Sequence, residues 1–157
     1  DPYFPCTAFA EKYQRGCWLN QAARIYQMEG GDLTKTAKVC EDVANGKYRD
    51  LCMDNLARQI HPLTNGDIYK VFELCQTMGA NWFDMCVNVN AGSYYSVGGR
   101  DQGITLCNIA QVSAKDACYQ NIIGQIGGDP IPDSEKRAYC KKIESSYAQT
   151  CLSQNRL

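Results

Sequence analysis

The chain has 157 residues, with 16 Lys and Arg against 17 Asp and Glu, and 45% of it is apolar. The near-cancelling charge gives no clustered basic footprint for nucleic acid, and no apolar run approaches the roughly 20 residues that span a bilayer. Ten cysteines and a single histidine set the remaining bounds. Zinc needs close thiolates or a Cys/His cluster, and Cys-x-x-Cys, which c-type haem attachment and thioredoxin-like redox sites also require, does not occur. A metal or redox carrier is therefore the weakest reading. A disulfide framework in an oxidising compartment is the expectation.

In chain order, Asp1-Pro2-Tyr3-Phe4-Pro5 reads as an extended segment, either a docking arm or a cap over the first hairpin. Asp1 is either a mature N-terminus or the start of a fragment, with any signal peptide or anchor removed or lying outside the chain. Cys6 and Cys17 enclose ten residues and open a first unit, which Gly30-Gly31 ends and Asp32 follows as a cap. Leu33, Thr36, Ala37, Cys40 and Ala44 then keep helical spacing, the turn Asn45-Gly46-Lys47 intervenes, and Cys52, Leu56, Ala57 and Ile60 follow on a second helix. After Asn65-Gly66-Asp67 comes the strongest helical pattern, Ile68, Val71, Phe72, Cys75 and Met78, and then Cys86. The next helix, Val87 to Ser96, is rich in Asn, Gly and Ser and reads as the irregular one. Gly98-Gly99 and Gly127-Gly128-Asp129 bound a fourth unit with Cys107 and Cys118, and a fifth carries Cys140 and Cys151. Its second helix is short, leaving an end that a partner or further chain would cover.

The first cysteines recur at 6, 40, 75, 107 and 140, and the second at 17, 52, 86, 118 and 151, a period of 32 to 35 residues. Such a period marks a solenoid. Other positions keep phase with it. Four residues before the second Cys stand Tyr13, Tyr48, Trp82 and Tyr147, with Ala114 the exception. Ala22, Ala57, Ala91 and Ile123 follow it by five, and Ile25, Ile60, Tyr94 and Ile126 by eight. About one helical turn separates each Cys from a short inter-helix turn, which sets paired sulfurs at similar height on antiparallel helices. Pairing within units (Cys6–Cys17, Cys40–Cys52, Cys75–Cys86, Cys107–Cys118, Cys140–Cys151) uses every cysteine. The rival scheme bridges successive units, Cys17 to Cys40 and onward, and strands Cys6 and Cys151. The favoured expectation is an all-α chain, one domain over 1–157, a solenoid of about five disulfide-bridged antiparallel helical hairpins with units near 1–31, 32–66, 67–99, 100–128 and 129–157.

A helical hairpin repeated about every 34 residues resembles the tetratricopeptide-like superfamily, in particular its cysteine-rich secreted members that staple each hairpin. The resemblance rests on period, helix-turn-helix punctuation and paired cysteines from Cys6 to Cys151. It implies a scaffold that binds proteins on a concave face, and it transfers no catalytic residues.

Chemistry is sparse. His61, before Pro62, reads as a helix C-terminal residue and not a general base. Asp50, Asp84 and Asp116 repeat in register, which points to negative charge near the start of each second helix. The glycine pairs follow helices instead of linking strand to helix, so they are stops and not phosphate cradles. No Gly-x-Ser-x-Gly elbow and no N-glycosylation sequon occurs. In the irregular third unit, Trp82, Tyr94 and Tyr95 form a candidate aromatic contact patch, the alternative for Tyr94 being a core position. The function expected is non-enzymatic: an interaction or scaffold module of an extracytoplasmic assembly (periplasmic, secreted or cell-surface), including an accessory subunit of a membrane-associated complex. It would have protein partners, no nucleic acid, no metal and no cofactor. The chain itself carries no transmembrane segment, with a membrane-anchored partner or a missing anchor left open. The alternative is a secreted glycan-binding protein or hydrolase using the aromatic patch of the third unit.

Overall fold

A computed structural model describes residues 1–97 and 99–157. Within them lie nine α-helices and one short 3-10 helix, with no strand among the described residues. The chain is described as two compact units, Asp1–Cys86 and Val87–Leu157.

The first unit holds the 3-10 helix Cys6–Ala8, α1 (Glu11–Met28), α2 (Leu33–Glu41), α3 (Gly46–Leu63), α4 (Tyr69–Gln76) and the first turn of α5 (Phe83–Ser96). Each hairpin is a short first element and a second one carrying the second cysteine. Pro5 caps the first element, which stays a single 3-10 turn. The segment before it is no extended arm. It turns back over α1, where Gln21 Nε2 donates to the carbonyls of Pro2 and Phe4 and Arg24 Nη1 donates to Phe4 at 2.6 Å. The Tyr3 ring lies 6.0 Å from that of Trp18, and its hydroxyl donates to the Val39 carbonyl. The segment is the cap over the first hairpin. At the end of α1, Gly31 has φ 83°, a left-handed conformation that lets its N–H close on the Tyr26 carbonyl at 2.8 Å. Asp32 then accepts from the Lys35 N–H at 3.0 Å and starts α2. Between α3 and α4, Asn65 and Gly66 again take positive φ and Asp67 accepts from the Tyr69 N–H, although the cap position of α4 is Ile68.

The positions five and eight residues after the second Cys of the first four hairpins are the core. Ala22, Ala57, Ile25 and Ile60 are fully buried, with Met53, Leu56 and Val71 around them. Trp18, one residue after Cys17, stacks on Tyr48, four before Cys52, with centroids 5.9 Å apart and planes at 11°. The second unit repeats the pairing, Tyr119 after Cys118 meeting Tyr147 before Cys151 at 4.3 Å. At Tyr48 and Tyr147 the aromatic register is thus a contact from one hairpin to the next, a favourable ring geometry added to apolar burial, whereas Tyr13 is 60% exposed.

The second unit holds the remainder of α5, α6 (Arg100–Ile109), α7 (Val112–Gly128), α8 (Asp133–Cys140) and α9 (Ser145–Gln154). Its core is Ala91, Tyr94, Ile104, Leu106, Tyr119, Ile122, Ile123 and Ile126. Two expectations change here. Gly127 and Gly128 are the last turn of α7, not a stop after it, and Asp129 does not cap α8. Asp129 precedes Pro130, which forces it into extended geometry, and its carboxylate is taken by Arg100. Of the pair Gly98-Gly99, Gly98 lies outside the described residues; Gly99 caps α6.

The helix over Val87–Ser96, irregular in composition, is regular in structure because its polar residues are paired. Asn121 Nδ2 donates to the Asn88 carbonyl and side-chain oxygen at 3.3 and 3.0 Å. Gln125 Nε2 donates to Asn121 Oδ1 at 3.0 Å, and Ser96 Oγ donates to Gln125 Oε1 at 2.9 Å. Gly92 sits between, where a Cβ would lie 2.6 Å from Asn121 Nδ2. Asn88, Gly92 and Ser96 are one helical face, i, i+4, i+8, sewn to α7 by amides.

All five disulfides are the within-unit pairs, with Cα separations of 5.4 to 5.7 Å and no free cysteine. They point to an oxidising environment. No helix of the described residues is long and apolar enough to cross a membrane.

Candidate functional site

Among the described residues no group of three or more His, Cys, Asp or Glu side chains could hold a metal ion. His61 sits in the last turn of α3, where Thr64 Oγ1 donates to its carbonyl. Asp84 lies in the first turn of α5, and Asp50 and Asp116 lie one turn deeper in α3 and α7.

The aromatic patch expected from Trp82, Tyr94 and Tyr95 is reduced to Trp82. Tyr94 and Tyr95 are 2% and 3% exposed. Tyr94 fills the slot that Ile25 and Ile60 occupy in the first unit. Tyr95 meets Tyr139 edge-on, and its hydroxyl donates to Asp129 at 2.9 Å. Arg100 donates to the same carboxylate through Nε at 2.8 Å and holds it below the usual carboxylate range. Burial, and then the Asp129 carboxylate, push the Tyr95 phenol up, so it stays a donor at any ordinary pH. These three residues line a small polar cavity of about 320 Å³ with Ser96 and Gln125. Their charges and donors are satisfied by one another, so they act as a lock within the second unit.

In the first unit, Tyr3, Trp18, Val43 and Tyr48 line a cavity of about 320 Å³ with Asp42 and Asn45 at its rim. Trp18 and Tyr48 are only 2% and 7% exposed, so their faces are used against each other and little ring surface is left for a ligand. The Trp18 indole N–H is buried without a hydrogen-bond partner.

The larger opening is a groove of about 670 Å³ in the same unit. Its floor is α3, where Lys47, Asp50, Leu51 and Asp54 fall at i, i+3, i+4 and i+7 on one face. Arg15 of α1 forms one lip; Trp82 and Met85, at the start of α5, form the other. Trp82 is half-buried and fixed by its indole N–H, which donates to Glu41 Oε1 at 3.1 Å. Asp54 is bound through two hydrogen bonds by Arg58, at 2.8 and 3.2 Å. Arg15 and Lys47 have no ion-pair partner among the described residues. The groove therefore joins an oriented aromatic, a thioether and uncompensated charge on a wide, open surface. The sequence alone assigns Asp50 only a helix-start role and does not group it with Arg15; the i, i+3, i+4, i+7 stripe of α3 is the signal that could have found it.

The chain matches no protein-family model, no curated protein and no solved structure.

Proposed function

We propose that the chain is a non-enzymatic protein-interaction module working outside the cytoplasm, in a periplasmic, secreted or cell-surface assembly, with its groove over α3 as the contact surface. The observation that carries this reading is the groove itself: a Trp and a Met beside Arg, the residue types enriched at protein interfaces, held on stapled helices. Five disulfides support the compartment. Repeated hairpins support the likeness to the tetratricopeptide-like superfamily, whose members bind partners along such faces. With Tyr94 and Tyr95 inside the core, the glycan-binding alternative lacks its aromatic platform.

The test is purification from the native source after cross-linking, comparing the natural chain with Trp82→Ala and with Tyr69→Ala, a control at an exposed ring outside the groove. A partner retained by the natural chain and by Tyr69→Ala but lost by Trp82→Ala is the expected result. Partners indifferent to Trp82, or substrate turnover that survives rigorous purification, would remove the reading.

A further inference from the structure

The chain contains two Asn-Gly pairs, Asn45-Gly46 and Asn65-Gly66, and both asparagines are exposed. Asparagine before glycine is chemically labile, because no side chain on the second residue shields its backbone nitrogen from the asparagine's own amide carbon. The fold treats the two pairs differently. Asn45 is the N-cap of α3: its side-chain oxygen accepts from the Lys47 N–H at 3.1 Å, and its carbonyl accepts from the N–H groups of Tyr48 and Arg49 at 3.0 and 2.9 Å. Gly46 is already the first residue of the helix, with the Arg49 guanidinium against it. Asn65 has no such task. It and Gly66, with φ 51° and 84°, are the central residues of an exposed turn that the Asp67 N–H closes on the Thr64 carbonyl at 3.0 Å. Left-handed φ at both central positions makes this a type I′ turn. Asp67 accepts from the Tyr69 N–H at 2.9 Å and Ile68 is the cap position of α4, so the Asn65 amide holds no helix end.

We propose that Asn65 is a site of spontaneous deamidation and that Asn45, in the same dipeptide, is protected by its cap. The Gly66 nitrogen attacks Cγ of Asn65. The new N–Cγ bond forms as the Cγ–Nδ2 bond breaks, and the Gly66 amide proton leaves with the departing nitrogen as ammonia. Water then opens the cyclic imide. Addition at Cγ gives aspartate at position 65; addition at the main-chain carbonyl gives isoaspartate, in which the backbone runs on through Cβ and Cγ. One water is consumed and one ammonia released, with no change of oxidation state. At Asn45 the same attack requires Oδ1 to leave the Lys47 N–H and the first turn of α3 to loosen. The two products also differ in consequence. Aspartate tolerates the left-handed conformation as asparagine does, so it keeps the turn and adds a negative charge beside Asp67. Isoaspartate inserts one main-chain carbon between Thr64 and Asp67, so the hydrogen bond that closes the turn loses its geometry and the join between α3 and α4 loosens. The chemistry does not depend on the groove over α3.

The experiment ages the oxidised full chain in mildly alkaline buffer and follows each Asn-Gly peptide over time by mass spectrometry, as the small gain of an amide-to-acid change. Labelling with a methyltransferase specific for isoaspartate separates the two products. A second arm ages the reduced, alkylated and unfolded chain, in which neither pair is structured. In the folded chain position 65 should convert about tenfold faster than position 45, the effect of having to break a capping hydrogen bond first. In the unfolded chain the two rates should approach each other, so that the difference belongs to the fold and not to the neighbouring residues. The isoaspartate form, isolated by chromatography, should exchange the Asp67 amide faster than the variant Asn65→Asp does. Equal rates at the two positions in the folded chain overturn the proposal. So does an Asn65 that stays an amide when folded while the unfolded chain converts. Equal exchange in the isoaspartate form and in Asn65→Asp overturns the loosening of the α3–α4 join.

Discussion

Replacing Gly103 with Ala sets local propensity against tertiary packing, and the two predict opposite signs. Gly103 lies inside α6, where Ala is intrinsically better than Gly by about 1 kcal/mol. On propensity alone Gly103→Ala stabilises the protein. The packing says otherwise. A Cβ at this position would stand 2.7 Å from the Ala91 carbonyl oxygen and 2.9 Å from both the backbone nitrogen and the Cβ of Tyr95, where ordinary contact starts near 3.4 Å. None of those atoms can rotate away, because all belong to α5 backbone or its first side-chain atom. The two helices must separate, and Tyr95 cannot follow freely with its hydroxyl on Asp129. Overpacking of this kind costs about 1–3 kcal/mol, and three immovable contacts put it near the upper end. After the propensity gain the net loss is about 2 kcal/mol. In thermal denaturation followed by circular dichroism, that is a fall of roughly 10 °C for the transition of a unit of this size. Gly124→Ala is the control. Gly124 is in α7 with nothing within 4 Å of its would-be Cβ, so it should gain about 0.5–1 kcal/mol and a few degrees. Equal upward shifts for both variants would refute the close α5–α6 approach.

Gly127→Ala would set a Cβ 2.2 Å from Asn155 Oδ1, so Asn155 must swing out and lose its bond to the Ile123 carbonyl; amide exchange should quicken in α9, and Gly127→Ala should add nothing further in an Asn155→Ala background, where both the bond and the clash are already gone. Replacing Cys40 and Cys52 by Ser opens a loop of twelve-residue separation and should cost about 3 kcal/mol in urea unfolding, with no gain of turnover or metal binding. Asp129 has its pKa depressed by Arg100, so its contribution to stability is present above the unfolded value of about 4 and is lost as pH falls through the folded one. Denaturation midpoints of the second unit should therefore drop in acid, below about pH 4, and Asp129→Asn should flatten that slope while lowering stability at neutral pH.

Much of the fold can be read from spacing because it is written locally. Cys40, Ala57 and Ile60 announce a buried face through their own periodicity, and Gly31 with Asp32 announces a stop and a start within two residues. What escapes is decided at a distance. Val87–Ser96 reads as a weak helix because Asn88 and Ser96 look like helix breakers until Asn121 and Gln125, about 30 residues on, supply their partners. Gly127 reads as punctuation because nothing local reveals that Asn155 needs the space. Tyr94 and Tyr95 read as a contact patch because aromatic surface and aromatic core have the same composition. The groove is half legible. Trp82 stands out in the sequence, but Arg15 and the α3 stripe belong to other hairpins, and only folding brings them alongside.

The pairing of each cysteine with its nearest neighbour along the chain also bears on how the protein is made. Partners are 11 or 12 residues apart, whereas the second cysteine of one hairpin and the first of the next, such as Cys17 and Cys40, are 23 apart. Closing the longer loop costs about 0.6 kcal/mol more, so chance encounter alone favours the native partner roughly threefold before any helix has formed. A chain threaded through a translocation pore, N-terminus leading, would also expose Cys17 to Cys6 before Cys40 has emerged. In a chain that emerges in this order the native bonds are the first ones available, and an oxidant that forms bonds in order of appearance would need little help from an isomerase to reach the finished protein.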